Sequence, residues 1–246
     1  MLATAEAREN SLKLPCAIGT ADDEPRRKGS PSPSSTSRGE NCRVPSLKDI
    51  VTFHEPPVPV GQSPYVSGAG PSRHVEIIDA QEVWPQLFQQ LADRIRGALG
   101  WRALEIEHVG STAVRGLPAK AIIDIDLIVA DPNDEPSYIP ALEGVGFELR
   151  VREPWWFGHR VLRHVDPACH LHVFGYDSPE VVKHRIFRDW LRANPSDREL
   201  YEQTKREAAA RAQSADEHSV QYNARKEKVI REIYHRAFVA MGLLKS

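Results

Sequence analysis

Ala121-Ile122-Ile123-Asp124-Ile125-Asp126-Leu127-Ile128-Val129-Ala130 is an apolar run broken only by two aspartates. On a strand, residues i and i+2 share a face, so both carboxylates point one way while Ile123, Ile125 and Leu127 point the other. Two neighbouring anions inside such a run are costly unless a cation joins them. A divalent ion with hard oxygen ligands is the economical solution, Mg²⁺ with phosphates completing its shell. A lysine partner or a sheet-edge position is the alternative for so short a motif.

Just upstream, His108-Val109-Gly110-Ser111-Thr112 reads as a strand ending in a glycine-serine turn that opens a short helix. Glycine admits a phosphate close to the backbone, and a serine hydroxyl with free amides supplies donors; an ordinary helix cap is the plain alternative. Around this centre the pattern predicts a short strand or extended entry over 75–78 and a helix from Trp84 through Phe88, Leu91, Ile95 and Leu99, stopped at Gly100. Strands are expected over 104–109, 121–130, 147–151, 160–164 and 169–174, with a short helix over 137–143. Helices are expected over 179–193, 197–213 and 220–241. The order is α+β: a small mixed β-sheet with flanking helices, then a helical C-terminal part.

Composition divides the chain. Ten of the 19 prolines but only two aromatics, Phe53 and Tyr65, lie before residue 75, and all five tryptophans come later. A stretch such as Arg26-Arg27-Lys28-Gly29-Ser30-Pro31 cannot bury enough apolar surface to offset its ordering entropy. Residues 1–73 are therefore expected to be a disordered arm, and 74–246 the folded domain. The net charge is −2, which gives no general affinity for nucleic acid. No apolar run approaches the roughly 20 residues needed to cross a bilayer. Cys16, Cys42 and Cys169 form neither a disulfide framework nor a C-x-x-C pair. No apolar segment follows the N-terminal basic residues, so the expectation is a soluble cytoplasmic protein, with mitochondrial targeting left open.

His108-Val109-Gly110-Ser111-Thr112-Ala113-Val114, Gly116-Leu117-Pro118-Ala119-Lys120 and Ile122-Ile123-Asp124-Ile125-Asp126-Leu127 together resemble the GrpB family of the nucleotidyltransferase (DNA polymerase β-like) superfamily. The resemblance runs from about Val75 to Ala237 and includes His159-Arg160, Leu171-His172-Val173-Phe174 and Phe187-Arg188-Asp189-Trp190. It implies that Gly110 and Ser111 hold the phosphates of a nucleoside triphosphate. It also implies that Asp124 and Asp126 bind Mg²⁺ (or Mn²⁺), and that a nucleotidyl group passes to a small-molecule hydroxyl acceptor. Superfamily members carry a third carboxylate on a later strand; the counterpart strand here offers His170 and His172, of which His172 is placed at the catalytic centre. Arg115 and Ala121 stand where the family usually has proline. A non-catalytic nucleotide- or phosphometabolite-binding module is the alternative function.

Three further features follow from spacing. His159, His164, His170 and His172 fall close together but match no zinc pattern. Arg185, Arg188 and Arg192 form one basic stripe on the helix over 179–193, with Arg188 taken as a phosphate ligand. Lys226 shares an apolar stripe with Tyr222, Val229, Ile233 and Ala237. A lysine there must snorkel or meet an anion, so Tyr222 and Lys226 are expected to face the cleft.

Overall fold

The structure is a computed structural model describing residues 44–66, 68, 70–72 and 75–245. Five strands form one sheet: β1 (Glu105–Val109), β2 (Ile123–Ile128), β3 (Glu148–Glu153), β4 (His159–His164) and β5 (Cys169–Phe174). Their order is β1-β2-β5-β4-β3. β2 and β5 are parallel and every other pair is antiparallel, so the sheet is mixed as expected. The segment over 75–78 is no strand; Ile78 makes a single bridge to Ala119.

The two faces of the sheet differ in chemistry. Ile123, Ile125, Leu127, Leu162, Leu171 and Val173 are buried against α2 (Trp84–Leu99), whose Leu91, Ile95 and Leu99 are likewise buried, and against Leu142 of α3 (Ile139–Glu143). Asp124 and Asp126 of β2, His159 of β4, and His170 and His172 of β5 occupy the opposite face. Three helices cover it: α4 (Pro179–Ala193), α5 (Pro195–Ser214) and α6 (Ser219–Ala240). Ser178 caps α4 by accepting from the Glu180 backbone N–H, and Pro179 sits in the first turn, where no donor is missed. Asp197 ties the three helices together, accepting from Trp190 Nε1 at 2.6 Å and from Arg236 at 2.7 Å.

The expected arm needs correction over its second half. Residues 1–43 lie outside the described residues, but 44–66 carry structure. Ser46 caps α1 (Leu47–Val51), and Ile50 is buried with Ile186, Tyr234 and Phe238. Phe53 packs edge-on against Tyr234. The buried Lys183 ammonium donates to the Thr52 carbonyl and to Glu180, both at 2.6 Å. Further on, Val66 donates to the Arg150 carbonyl and Arg152 to that of Pro64, extending the β3 edge. Proline-rich composition hid a strap whose few apolar residues are spaced to meet pockets already formed by α4 and α6.

Burying a large apolar side chain contributes about 1.5–3 kcal/mol. A chain beginning at residue 67 should therefore be less stable than one beginning at residue 44 by about 3 kcal/mol or more. Its melting temperature should fall by roughly 6–12 °C, read by calorimetry. Equal melting temperatures would show that the strap contributes nothing.

Candidate functional site

β1 ends at Val109, and Gly110 turns the chain with φ of +67°. A side-chain carbon on Gly110 would strike the Asp124 carboxylate, so glycine is required both by backbone and by contact. Register places Asp124 opposite Val109 and beside His170, and Asp126 opposite Glu107 and beside His172. These elements open onto a cavity of ≈ 420 Å³ between the sheet and the C-terminal helices.

Of the residues singled out from sequence, Gly110, Ser111, Asp124, His172, Tyr222 and Lys226 all line this cavity. Asp126 lies behind it, fully buried. One Asp126 oxygen accepts from His184 Nδ1 at 2.8 Å; the other, Oδ1, is buried with no hydrogen-bond partner. Burial works against a charged His184, but the Asp126 carboxylate and its hydrogen bond raise the imidazole above its ordinary range. Burial also works against the Asp124 carboxylate, yet the His170 hydrogen bond and charge, with Lys120, bring it down to about 2. His172 is pushed down to about 3 by burial and is neutral at pH 7.

Arg188 is not in the cavity. Its guanidinium donates to Glu107 at 2.6 Å, to the His108 carbonyl at 2.9 Å and to Asp189 at 2.8 Å. Arg185 pairs with Glu105 at 2.6 Å, and Arg192 donates to the Ala113 carbonyl at 2.7 Å. The basic stripe rivets α4 to β1 and to the turn that follows it. The partners Glu105 and Glu107 are remote in sequence, and helix periodicity could not show them.

The cationic wall comes from elsewhere. Tyr201-x-x-x-Lys205 on α5 and Tyr222-x-x-x-Lys226 on α6 repeat one pattern on neighbouring helices. Each ammonium lies over its own helix's ring, Lys205 at 4.9 Å and Lys226 at 4.0 Å from the centroid. Lys205 also donates to the Pro118 carbonyl. Lys120 is the third cation lining the cavity, 5.9 Å from the Tyr222 ring. Among the described residues no carboxylate comes within 4 Å of these three ammoniums. Burial, reinforced by neighbouring cations, depresses Lys205 and Lys226 to about 7. Sequence reasoning missed Lys205, Lys120 and Tyr201; the repeated Tyr-x-x-x-Lys spacing was the available signal.

Among the described residues no group of three or more His, Cys, Asp or Glu side chains is arranged to hold a metal by itself. The carboxylate pair, with its one unpartnered buried oxygen, fits a hard cation that takes the rest of its shell from phosphate and water. No described helix is long and apolar enough to cross a membrane.

Because Arg188 holds strand and helix together, Arg188→Met should lower stability by roughly 1.5–3 kcal/mol, the range for charge-assisted hydrogen bonds. Chemical denaturation would measure it. A variant of unchanged stability would return Arg188 to the list of candidate ligand-binding groups.

Comparison with known proteins follows the same boundaries. The family model described as GrpB protein matches residues 74–236. A UPF0157 protein of Halalkalibacterium halodurans is 47% identical over 163 residues, 66% of this chain and 82% of that protein. A dephospho-CoA kinase of Mycobacterium tuberculosis is 32% identical over 190 residues, covering 66% of this chain but 46% of the kinase. The crystal structure of GrpB from Enterococcus faecalis superposes with a TM-score of 0.57 at 28% identity, covering 66% of this chain and 96% of that one. With the match spanning every strand of the sheet and nearly all of α6, the chain belongs to the GrpB family.

Proposed function

We propose that the cavity binds a nucleoside triphosphate with a divalent cation, and that the chain is a Mg²⁺-dependent nucleotidyltransferase acting on a hydroxyl acceptor. The observation that carries this reading is the convergence of Lys120, Lys205 and Lys226, without carboxylate partners, on the cavity lined by Gly110, Ser111 and Asp124. Buried cations without anions are costly in a structural role, and they suit a polyanionic ligand.

In the proposed reaction the acceptor oxygen bonds to the α-phosphorus, the bond to the β-phosphate oxygen breaks, and pyrophosphate leaves. The hydroxyl proton passes to a base at the site. Lys205 and Lys226 would hold the departing phosphates from the helical side, and the Gly110–Ser111 turn would receive them from the sheet side. Asp124 and Asp126 would hold Mg²⁺, which would supply positive charge to offset that of the phosphates. A second reading, binding without turnover, is favoured by His172: a neutral imidazole at about 3 supplies neither a third anion nor a strong base. The kinase name of the mycobacterial relatives has no residues to rest on here, because the chain contains no G-x-x-x-x-G-K-[ST] loop.

Thermal shift with ATP, GTP, CTP and UTP, with and without Mg²⁺, tests the reading. A ligand at a hundredfold excess over Kd should stabilise by about 2.7 kcal/mol. Asp124→Asn with Asp126→Asn should remove the Mg²⁺ dependence. Lys226→Met should weaken binding by roughly 1.5–3 kcal/mol, about 10- to 150-fold, while Lys228→Met, at an exposed position, should change nothing. No shift from any nucleotide would sink the proposal, and binding without pyrophosphate release would establish the second reading.

The lysines also fix a pH dependence. Their folded-state values near 7 lie below the usual value of about 10.4. In the free protein the unfolded chain therefore binds more protons between about pH 7 and 10, and these two groups make stability rise with pH there. Bound phosphate favours the protonated lysines, so binding should take up protons near pH 8, and affinity should fall from pH 7 to pH 9. Calorimetric titration in two buffers of different ionisation enthalpy reads the uptake; its absence would place the phosphates away from both lysines.

A further inference from the structure

A polar chain reaches the cavity from the β3 edge of the sheet. Glu153, at the end of β3, accepts from His159 Nδ1 at 2.8 Å. His159, at the start of β4, is buried between Phe174, stacked at 4.6 Å, and the edge of Trp156 at 4.8 Å. Its Nε2 lies 3.0 Å from Nδ1 of His172, and the two ring planes are within 12° of parallel, their centroids 5.3 Å apart. His172 lines the cavity, and its Nε2 has no hydrogen-bond partner among the described residues. His184, the nearest other ring at 6.2 Å, is turned to Asp126 through its Nδ1.

The partners decide which nitrogen carries each proton. A neutral imidazole has one N–H and one lone pair, and burial keeps both rings neutral. A carboxylate only accepts, so the His159 proton sits on Nδ1 and its Nε2 is a lone pair. The hydrogen between the rings must then belong to His172 Nδ1, which leaves His172 Nε2 as a lone pair too. Without this chain the ring would take the Nε2–H form that free histidine prefers, and would offer the cavity a donor.

We propose that Glu153, acting through His159, is a positioning residue that fixes His172 as a hydrogen-bond acceptor facing the cavity, so that this wall receives a ligand hydroxyl and not a phosphate oxygen. Phosphate oxygens are acceptors and find their donors on the lysine wall; a hydroxyl needs the lone pair that His172 presents. The tautomer is a property of the ligand-free protein. Only the identity of that hydroxyl as the transfer acceptor rests on the nucleotidyltransferase reading.

Long-range ¹H–¹⁵N correlation spectra of the ligand-free full chain at pH 7 test the assignment. In the wild type, His159 and His172 should both be protonated on Nδ1 and bare on Nε2. Glu153→Met removes the acceptor, and His159→Phe keeps the stack on Phe174 while cutting the chain; in either variant His172 should revert to Nε2–H. A wild-type His172 protonated on Nε2 overturns the proposal even if both variants fail to fold. So do folded variants that leave the His172 tautomer unchanged. Inorganic triphosphate, whose oxygens are nearly all acceptors at this pH, should bind Glu153→Met at least as tightly as wild type; a tenfold loss would assign Glu153 to the phosphate wall and overturn the hydroxyl assignment. Failure of all nucleotides to bind the wild type would defeat the transfer reaction without moving these resonances.

Discussion

A fully buried aspartate in the middle of the sheet constrains everything packed on one side of it. Asp126 sits on β2 between β1 and β5, with one oxygen held by His184 and the other unpartnered. An uncompensated buried charge costs several kcal/mol, so the helix that supplies His184 must be fixed firmly. Arg185 and Arg188, on the two turns around it, do this by pairing with Glu105 and Glu107 of β1. The sheet therefore has one hydrocarbon face, closed by α2 and α3 mainly through apolar burial, with Arg94 of α2 also meeting His164 Nε2 at 2.6 Å, and one polar face, closed by α4 through charge. Register and alternation decide which residues fall on which side.

Much of this division was legible in sequence because it depends on periodicity. The two-residue alternation of Ile123, Asp124, Ile125, Asp126 and Leu127 put the carboxylates on one face without any knowledge of neighbours. The Trp84-to-Leu99 stripe likewise gave its helix, and Lys226 was recognisable because a charge on an otherwise apolar stripe is anomalous. What failed required a partner distant in the chain. Arg188 looked like a phosphate ligand until β1 supplied Glu107, 81 residues away. Lys205 gave no anomaly because α5 has no strongly apolar stripe against which a charge would stand out. The strap over 44–66 failed for a third reason: proline and serine lower its average hydrophobicity, while a few residues, Ile50, Val51, Phe53 and Val66, do its packing.

The histidines show how burial changes what a residue type means. Four of them within a short span suggested either a metal cluster or scattered core positions. Alternation separates them: His164 falls on the hydrocarbon side, tilted against Phe147 and donating from Nδ1 to the Pro167 carbonyl, whereas His159, His170 and His172 fall on the polar side. There His170 stands beside Asp124 and His172 beside Asp126, so one strand lays two imidazoles against two carboxylates in register. The same register gives His170 a carboxylate neighbour at 3.5 Å and leaves His172 bonded only to another imidazole.

The cavity keeps its opposite charges apart, and this separation favours a ligand role over a structural one. Asp124 and the three lysines line the same cavity, yet none of the ammoniums lies within 4 Å of that carboxylate. Paired directly, they would have offset much of one another's desolvation; held apart, each side keeps its own. Two of the cations instead lean on tyrosine rings, contacts worth about 0.5–2 kcal/mol, less than a buried ion pair recovers. A site that accepts this cost when empty is poised for a ligand that meets both walls at once. In the proposed reading such a ligand would turn anionic groups to Lys120, Lys205 and Lys226 and bring a cation to the carboxylate side, which is the charge pattern of a metal-bound polyphosphate.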